Sequence, residues 1–202
     1  MTEPGIARIL VASLHQGISD LLPARLDFYE NWLNPDGLRH GTIGLAPVLA
    51  VLSFLRQEGV PYQQVTRRAG EYAAEWTVAS QSSARRALVQ SLPLWLRSRA
   101  VLRLAKRAIS EMHAGQRVRL RVGGGQGTLD VQDSIFCGVR DLAREPLCEF
   151  HAAAVERLLE LYAVPGEVRL DRCRAVGDPS CLITVILHTG RPSRVVSVTS
   201  PE

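Results

Sequence analysis

The sequence predicts an α+β fold, with several helices packed on one side of a small antiparallel sheet. Three observations predict it. Apolar residues recur at three-and-four spacing through most of the stretch from Ile6 to His113, the mark of amphipathic helices. Arg117-Val-Arg-Leu-Arg-Val122 then alternates with period two, the mark of a strand with one wet and one dry face. Two further segments rich in Val, Ile and Leu flank Gly177-Asp178-Pro179, which reads as a second hairpin. Helices first and hairpins later, instead of alternating βα units, segregate the helices to one side.

In chain order, Ile6, Ile9, Leu10, Leu14, Ile18, Leu21 and Leu22 mark a first helix ending at Pro23, whose apolar stripe could pack on a partner. Leu26 to Leu33 forms a short helix carrying Phe28, Tyr29 and Trp32, and Asn34-Pro-Asp-Gly37 turns the chain. Thr42 caps a helix from Ile43 to Gln57, ended by Gly59. From Tyr62 to Ala79 runs a helix whose Ala69, Gly70, Ala73 and Ala74 let a neighbour approach closely. A long helical region from Ala84 to His113 is divided or kinked near Pro93, with Arg97, Arg99, Arg103, Lys106 and Arg107 around its outer side. That charge run is read as a solvated face, with an anion or partner surface as the alternative. Gly123-Gly-Gly-Gln-Gly127 turns the first strand back onto Thr128 to Val131. No Gly-Lys-Ser/Thr follows it, so the glycines make a hairpin turn and not a phosphate loop. Near the end, Thr189-Gly-Arg-Pro192 is a turn and Val195 to Thr199 an edge strand.

The composition, 46% hydrophobic over 202 residues, suits one sizeable core. No window holds eighteen uninterrupted apolar residues, and Met1-Thr-Glu-Pro-Gly carries no basic region ahead of an apolar run. Neither a span nor a signal peptide is expected, which points to a cytoplasmic protein with reduced thiols. The net charge is +4, and Lys106 is the only lysine. With 5% aromatic residues there is little to build a stacking platform, and nucleic acid is not favoured as the primary ligand.

Chemistry concentrates between Cys148 and Cys181. Phe150, Ala154, Leu158 and Leu161 set a helix that starts just after Cys148 and stops before Pro165-Gly166, while Cys173 and Cys181 stand at the two strand ends beside the second turn. A hairpin end facing a helix start can bring three sulfurs together. Zinc is the natural reason for such convergence, since it prefers thiolate, imidazole and carboxylate ligands and the helix N-terminus favours an anionic Cys148. Asp171, on the Cys173 side of the strand, is the leading fourth ligand; His151, Glu167 and Cys137 are alternatives. Ordinary buried thiols and a Cys173–Cys181 cross-strand disulfide are the competing readings.

Cys148, its helix, and Cys173-Arg-Ala-Val-Gly-Asp-Pro-Ser-Cys181 resemble the end of a 4-vinyl-reductase (4VR) domain, whose pattern is a helix-opening Cys followed by Cys-x-Ala-x-Gly-Asp-x-x-Cys. The family's acidic residue precedes the first hairpin cysteine by three, where this chain has Leu170, with Asp171 one place later. The resemblance implies a TRAPP-like fold over residues 38–190, a helical extension over 1–37 and a tail over 191–202. It further implies an apolar or aromatic small-molecule ligand, a homodimer and a structural zinc, as in the sensor domains of aromatic-responsive activators.

Three functions follow in order of preference. The first is a non-catalytic small-molecule binding or sensor domain, with Trp76, Trp95, Met112, His113 and Phe136 as candidate pocket residues. The second is a TRAPP-like scaffold that pairs with a partner through the N-terminal helix. The third is a step in tetrapyrrole (bacteriochlorophyll-type) biosynthesis; it ranks last because no residue offers a hydride source or a tuned acid, and no catalytic residue is assigned.

Overall fold

In a computed structural model the chain is described over residues 6–33, 44–138 and 141–188. The described helices are α1 (Arg8–Leu21), α2 (Leu26–Leu33), α3 (Leu45–Gln57), α4 (Val60–Ala79), α5 (Ser83–Ser91), α6 (Leu94–Glu111) and α7 (Glu149–Leu161). The strands are β1 (Arg117–Gly123), β2 (Gln126–Gln132), β3 (Gly166–Arg172) and β4 (Cys181–Leu187). They form one antiparallel sheet in the order β1-β2-β4-β3. The architecture is α+β, as the periodicities predict. The Asn34–Gly37 turn, the Thr42 cap, the Thr189–Pro192 turn and the Val195–Thr199 strand lie outside the described residues.

Pro93 divides the long helical region outright. α5 stops at Ser91, and Leu92 adopts an extended backbone with ψ 146°, as a residue before proline must. α4 begins earlier than the pattern suggested, at Val60, because Gly59 takes φ +76° and Pro61 fits the first turn, where its missing N–H costs nothing. Between β1 and β2 the glycine run makes a two-residue hairpin. Gly124 and Gly125 both have positive φ, as that tight turn requires.

The core is a single cluster. Leu10, Val11, Leu14 and Ile18 of α1 are fully buried, and α1 packs on α4. At roughly 1.5–3 kcal/mol for each such side chain, α1 is bound firmly to the rest. Leu10, Leu14 and Ile18 of the stripe are thus spent inside the chain, while Leu21 remains 43% exposed. α4 also crosses α7, with Gly70 against the backbone of Phe150. The small residues Ala69, Gly70, Ala73 and Ala74 make that approach geometrically available. α6 and α7 lie over the sheet, on β1 and β3 respectively, and cover an inner face formed by Leu129, Val131, Ile183 and Val185.

Candidate metal centre

Four cysteines meet where the sheet ends and α7 begins. Cys137 closes a 3-10 turn (Ile135–Cys137) that follows β2, and Cys148 is the N-cap residue of α7. Cys173 follows β3 and precedes a second 3-10 turn (Arg174–Val176), and Cys181 opens β4. All four are buried and free, so no Cys173–Cys181 disulfide is present. Their sulfurs lie within 4.8 Å of one another. Cys137 Sγ stands 2.9 Å from Cys148 Sγ, 3.3 Å from Cys181 Sγ and 3.5 Å from Cys173 Sγ, and Cys148 and Cys181 are 3.0 Å apart.

These separations exceed a disulfide bond of about 2.05 Å. They fall slightly short of the roughly 3.8 Å edge of a tetrahedron built on zinc–sulfur bonds of about 2.3 Å. An outward shift of each sulfur by a few tenths of an ångström opens the tetrad to a metal. The surroundings suit thiolate: the backbone N–H of Leu147 donates to Cys173 Sγ at 3.4 Å and that of Arg174 to Cys181 Sγ at 3.5 Å. Such donors offset part of the negative charge that four thiolates bring. The four sulfurs can hold a metal, and a site closed by four protein ligands is of the structural kind.

Crowding splits the thiols. Hydrogen bonding from neighbouring sulfurs, that of Cys137 foremost, holds Cys173 well below the usual thiol range; the bond with Cys148 lowers Cys137 as well. Cys148 and Cys181 are pushed up, chiefly by their contact with Cys137. A divalent cation would remove the conflict by letting all four ionise together.

Several contacts fix the ligand loops. Arg56, at the end of α3, donates to the carbonyl oxygens of Phe136 at 3.1 Å and Gly138 at 3.2 Å, on either side of Cys137. The Tyr62 hydroxyl donates to the Leu147 carbonyl at 3.0 Å, just ahead of Cys148. Asp178 accepts from the Cys173 backbone N–H at 2.9 Å, and Gly177 takes φ +106°, which explains the Gly-Asp pair of the motif as loop architecture. Ser134 Oγ lies 2.9 Å from His151 Nε2 and 3.8 Å from Cys148 Sγ. Full burial lowers His151 to about 4 and keeps its ring neutral.

Cys148, Cys173 and Cys181 therefore converge, and Cys137 stands in the fourth corner. Asp171 does not: a bulge between Leu170 and Arg172 leaves it unpaired on the exposed edge of β3. Glu167 is exposed at the far end of β3 and bonded to Arg169 at 2.8 Å. His151 lies behind the cluster, bonded to Ser134.

The five candidate pocket residues are dispersed. Trp76 stacks on Tyr72 at the surface of α4, and Phe136 stacks on Phe150 beside the cysteines. Trp95 is 57% exposed at the start of α6, whereas Met112 is buried past its end, about 25 Å away at 1.5 Å per residue. His113 is buried next to Met112; its Nδ1 accepts from the Gly115 N–H at 3.2 Å, and its Nε2 has no partner among the described residues. A cleft between α4 and α7 is lined by Arg67, Arg68, Glu71, Glu156 and Arg157, and another, beside α5 and α6, by Gln81, Arg85, Leu104, Arg107 and Glu111.

No protein-family model and no curated protein sequence matches the chain. Solved structures do. An H-NOX protein from S. oneidensis in the Fe(II)NO ligation state aligns over 90% of this chain and 99% of its own, with TM-score 0.55 and 10% identity. This chain shares its fold with H-NOX domains. The H-NOX domain of Shewanella oneidensis in the Fe(II)CO ligation state aligns over 89% and 97% of the two chains, again with TM-score 0.55 and 10% identity. The phenol-responsive sensory domain of the transcription activator PoxR aligns over 71% of this chain and 74% of its own, with 15% identity and TM-score 0.46. The 4VR resemblance thus remains one of motif, carried by Cys148, Cys173, Ala175, Gly177, Asp178 and Cys181.

Proposed function

We propose that this chain is a non-catalytic small-molecule sensor domain whose C-terminal third is locked by a structural zinc on Cys137, Cys148, Cys173 and Cys181. The observation that carries the reading is the buried four-thiol cluster, since four converging thiols are more than packing needs and match the ligand number zinc takes. When bound, zinc supplies cross-linking of a helix start, a strand start and two turns, and no open coordination position. Reduced thiols of this kind suit a cytoplasmic setting.

The sensing half of the reading is supported by the fold shared with H-NOX domains, which are described with NO and CO on Fe(II). His113 adds a local observation: its buried Nε2 has no partner among the described residues, and a ligand's polar atom would satisfy it. The place is the junction of the α6 end with the start of α1, where Ala7 N–H donates to the Met112 carbonyl at 3.0 Å. Native mass spectrometry of the chain purified without chelator tests both halves, because zinc and an organic ligand give separate mass increments. A zinc increment together with a solvent-extractable compound is expected. A bare chain that also fails to take up zinc or any of a panel of small aromatic compounds overturns the proposal.

A further inference from the structure

Charge is distributed very unevenly along this chain. Of its 24 basic and 20 acidic residues, ten basic residues and one acidic residue, Glu111, lie between Glu75 and Asp130, so the remainder is net negative. Seven of the ten basic residues lie on α5 and α6, which pack on each other, whereas α6 covers the inner face of β1, so the outward arginines of β1 face the other way. Along α6, Trp95, Arg99, Arg103 and Arg107 follow at four-residue spacing on an exposed row about 18 Å long, with Lys106 beside it. On β1, Arg117, Arg119 and Arg121 alternate with inward-facing residues and point away from α6, Arg119 standing opposite Asp130, so they lie outside this row. Arg107 is tied to Glu111, while Arg85, Arg86, Arg99, Arg103 and Lys106 have no carboxylate partner among the described residues.

Two large apolar side chains stand within this field. Leu88 on α5 is 64% exposed and Trp95, capped by the Arg99 guanidinium 5.8 Å from its ring centre, is 57% exposed. α5 itself buries no residue, although a nine-residue helix has little stability of its own in water. A second copy of this chain is a poor occupant, because it would oppose arginine rows to arginine rows. A duplex nucleic acid would satisfy the cations but leave Leu88 and Trp95 without a role. An anionic phospholipid surface satisfies both: headgroup phosphates pair with the arginines, and Trp95 and Leu88 enter the boundary between headgroups and acyl chains.

We propose that the α5–α6 surface docks this chain onto anionic phospholipid membranes. The test is sedimentation of the full chain with vesicles of pure phosphatidylcholine and with vesicles containing one-third phosphatidylserine. The wild type, Arg99→Gln/Arg103→Gln, Trp95→Ala and, as a charge-loss control on the far edge of the sheet, Arg169→Gln are compared. Binding to the phosphatidylserine vesicles alone is expected, weakened by added salt. The double variant should lose at least tenfold in affinity, at roughly fivefold per arginine near the surface. Trp95→Ala should lose severalfold and Arg169→Gln less than twofold. No binding to anionic vesicles at low salt, equal loss in the control, or tighter binding to a duplex oligonucleotide than to vesicles at the same salt would each overturn the assignment. So would a dimer that Trp95→Ala dissociates.

Discussion

The guanidinium of Arg56 donates to the carbonyl oxygen of Phe136 at 3.1 Å, and so fixes the residue that immediately precedes Cys137. With its second bond to Gly138, Arg56 holds the one cysteine loop that follows no strand end or helix start directly. Replacing Arg56 by Ala removes two charge-assisted bonds at a partly exposed site. A loss of about 1–2 kcal/mol in urea unfolding is expected, together with faster zinc release to a chelator. A lysine at this position keeps the charge but not the two-pronged geometry, and should rescue little.

Cys137→Ser separates the four-sulfur site from the arrangement in which Asp171 is the fourth ligand. The serine variant should lose most of its zinc at chelator concentrations that the wild type tolerates, and Asp171→Asn should keep it. Zinc content by elemental analysis after dialysis reads the difference. Loss in Asp171→Asn with retention in Cys137→Ser would reverse the ligand assignment.

His151 makes stability depend on pH. Its folded value of about 4 lies below the ordinary 6.5, so the unfolded chain binds more protons between those two values. The contribution is fully present above pH 6.5 and is lost as pH falls toward 4, amounting to on the order of 3 kcal/mol. Urea unfolding of zinc-loaded protein from pH 7 to pH 4.5 should show a shallower fall for His151→Leu than for the wild type. Parallel slopes would show that the ring contributes nothing.

Gly70→Ala should destabilise the chain, against the usual gain from removing a helix glycine. A Cβ there would collide with the backbone carbonyl of Phe150, so α4 and α7 must separate. A cost of about 1–3 kcal/mol is expected in thermal or urea unfolding. A neutral or stabilising result would mean that the two helices are not so closely packed.

Much of this was legible from local chemistry. The helix from Cys148 and the glycine hairpin follow from spacing and turn residues alone, and the same holds for the break at Pro93, because their causes lie within a few residues of chain. The small-residue face of α4 also announced a close helix contact, although not which helix makes it. The fourth corner of the four-thiol cluster was not fixed in advance. Cys137 lies in an aperiodic segment, and its approach to Cys148 depends on Arg56 and Tyr62, which are distant in sequence. Asp171 looked well placed on a regular strand, but the bulge at Leu170/Arg172 leaves it on the exposed edge of β3. Trp76 and Trp95 had the composition of pocket residues, yet the amphipathic pattern of a helix does not say whether an aromatic on its boundary turns inward or stays in water.

The most direct test of the account is the zinc content of the purified chain, measured by elemental analysis before and after chelation, with circular dichroism on the same samples. About one zinc per chain, removed only together with loss of cooperative folding, is the predicted result. A metal-free chain that unfolds cooperatively, and whose stability does not change on adding zinc, would contradict it.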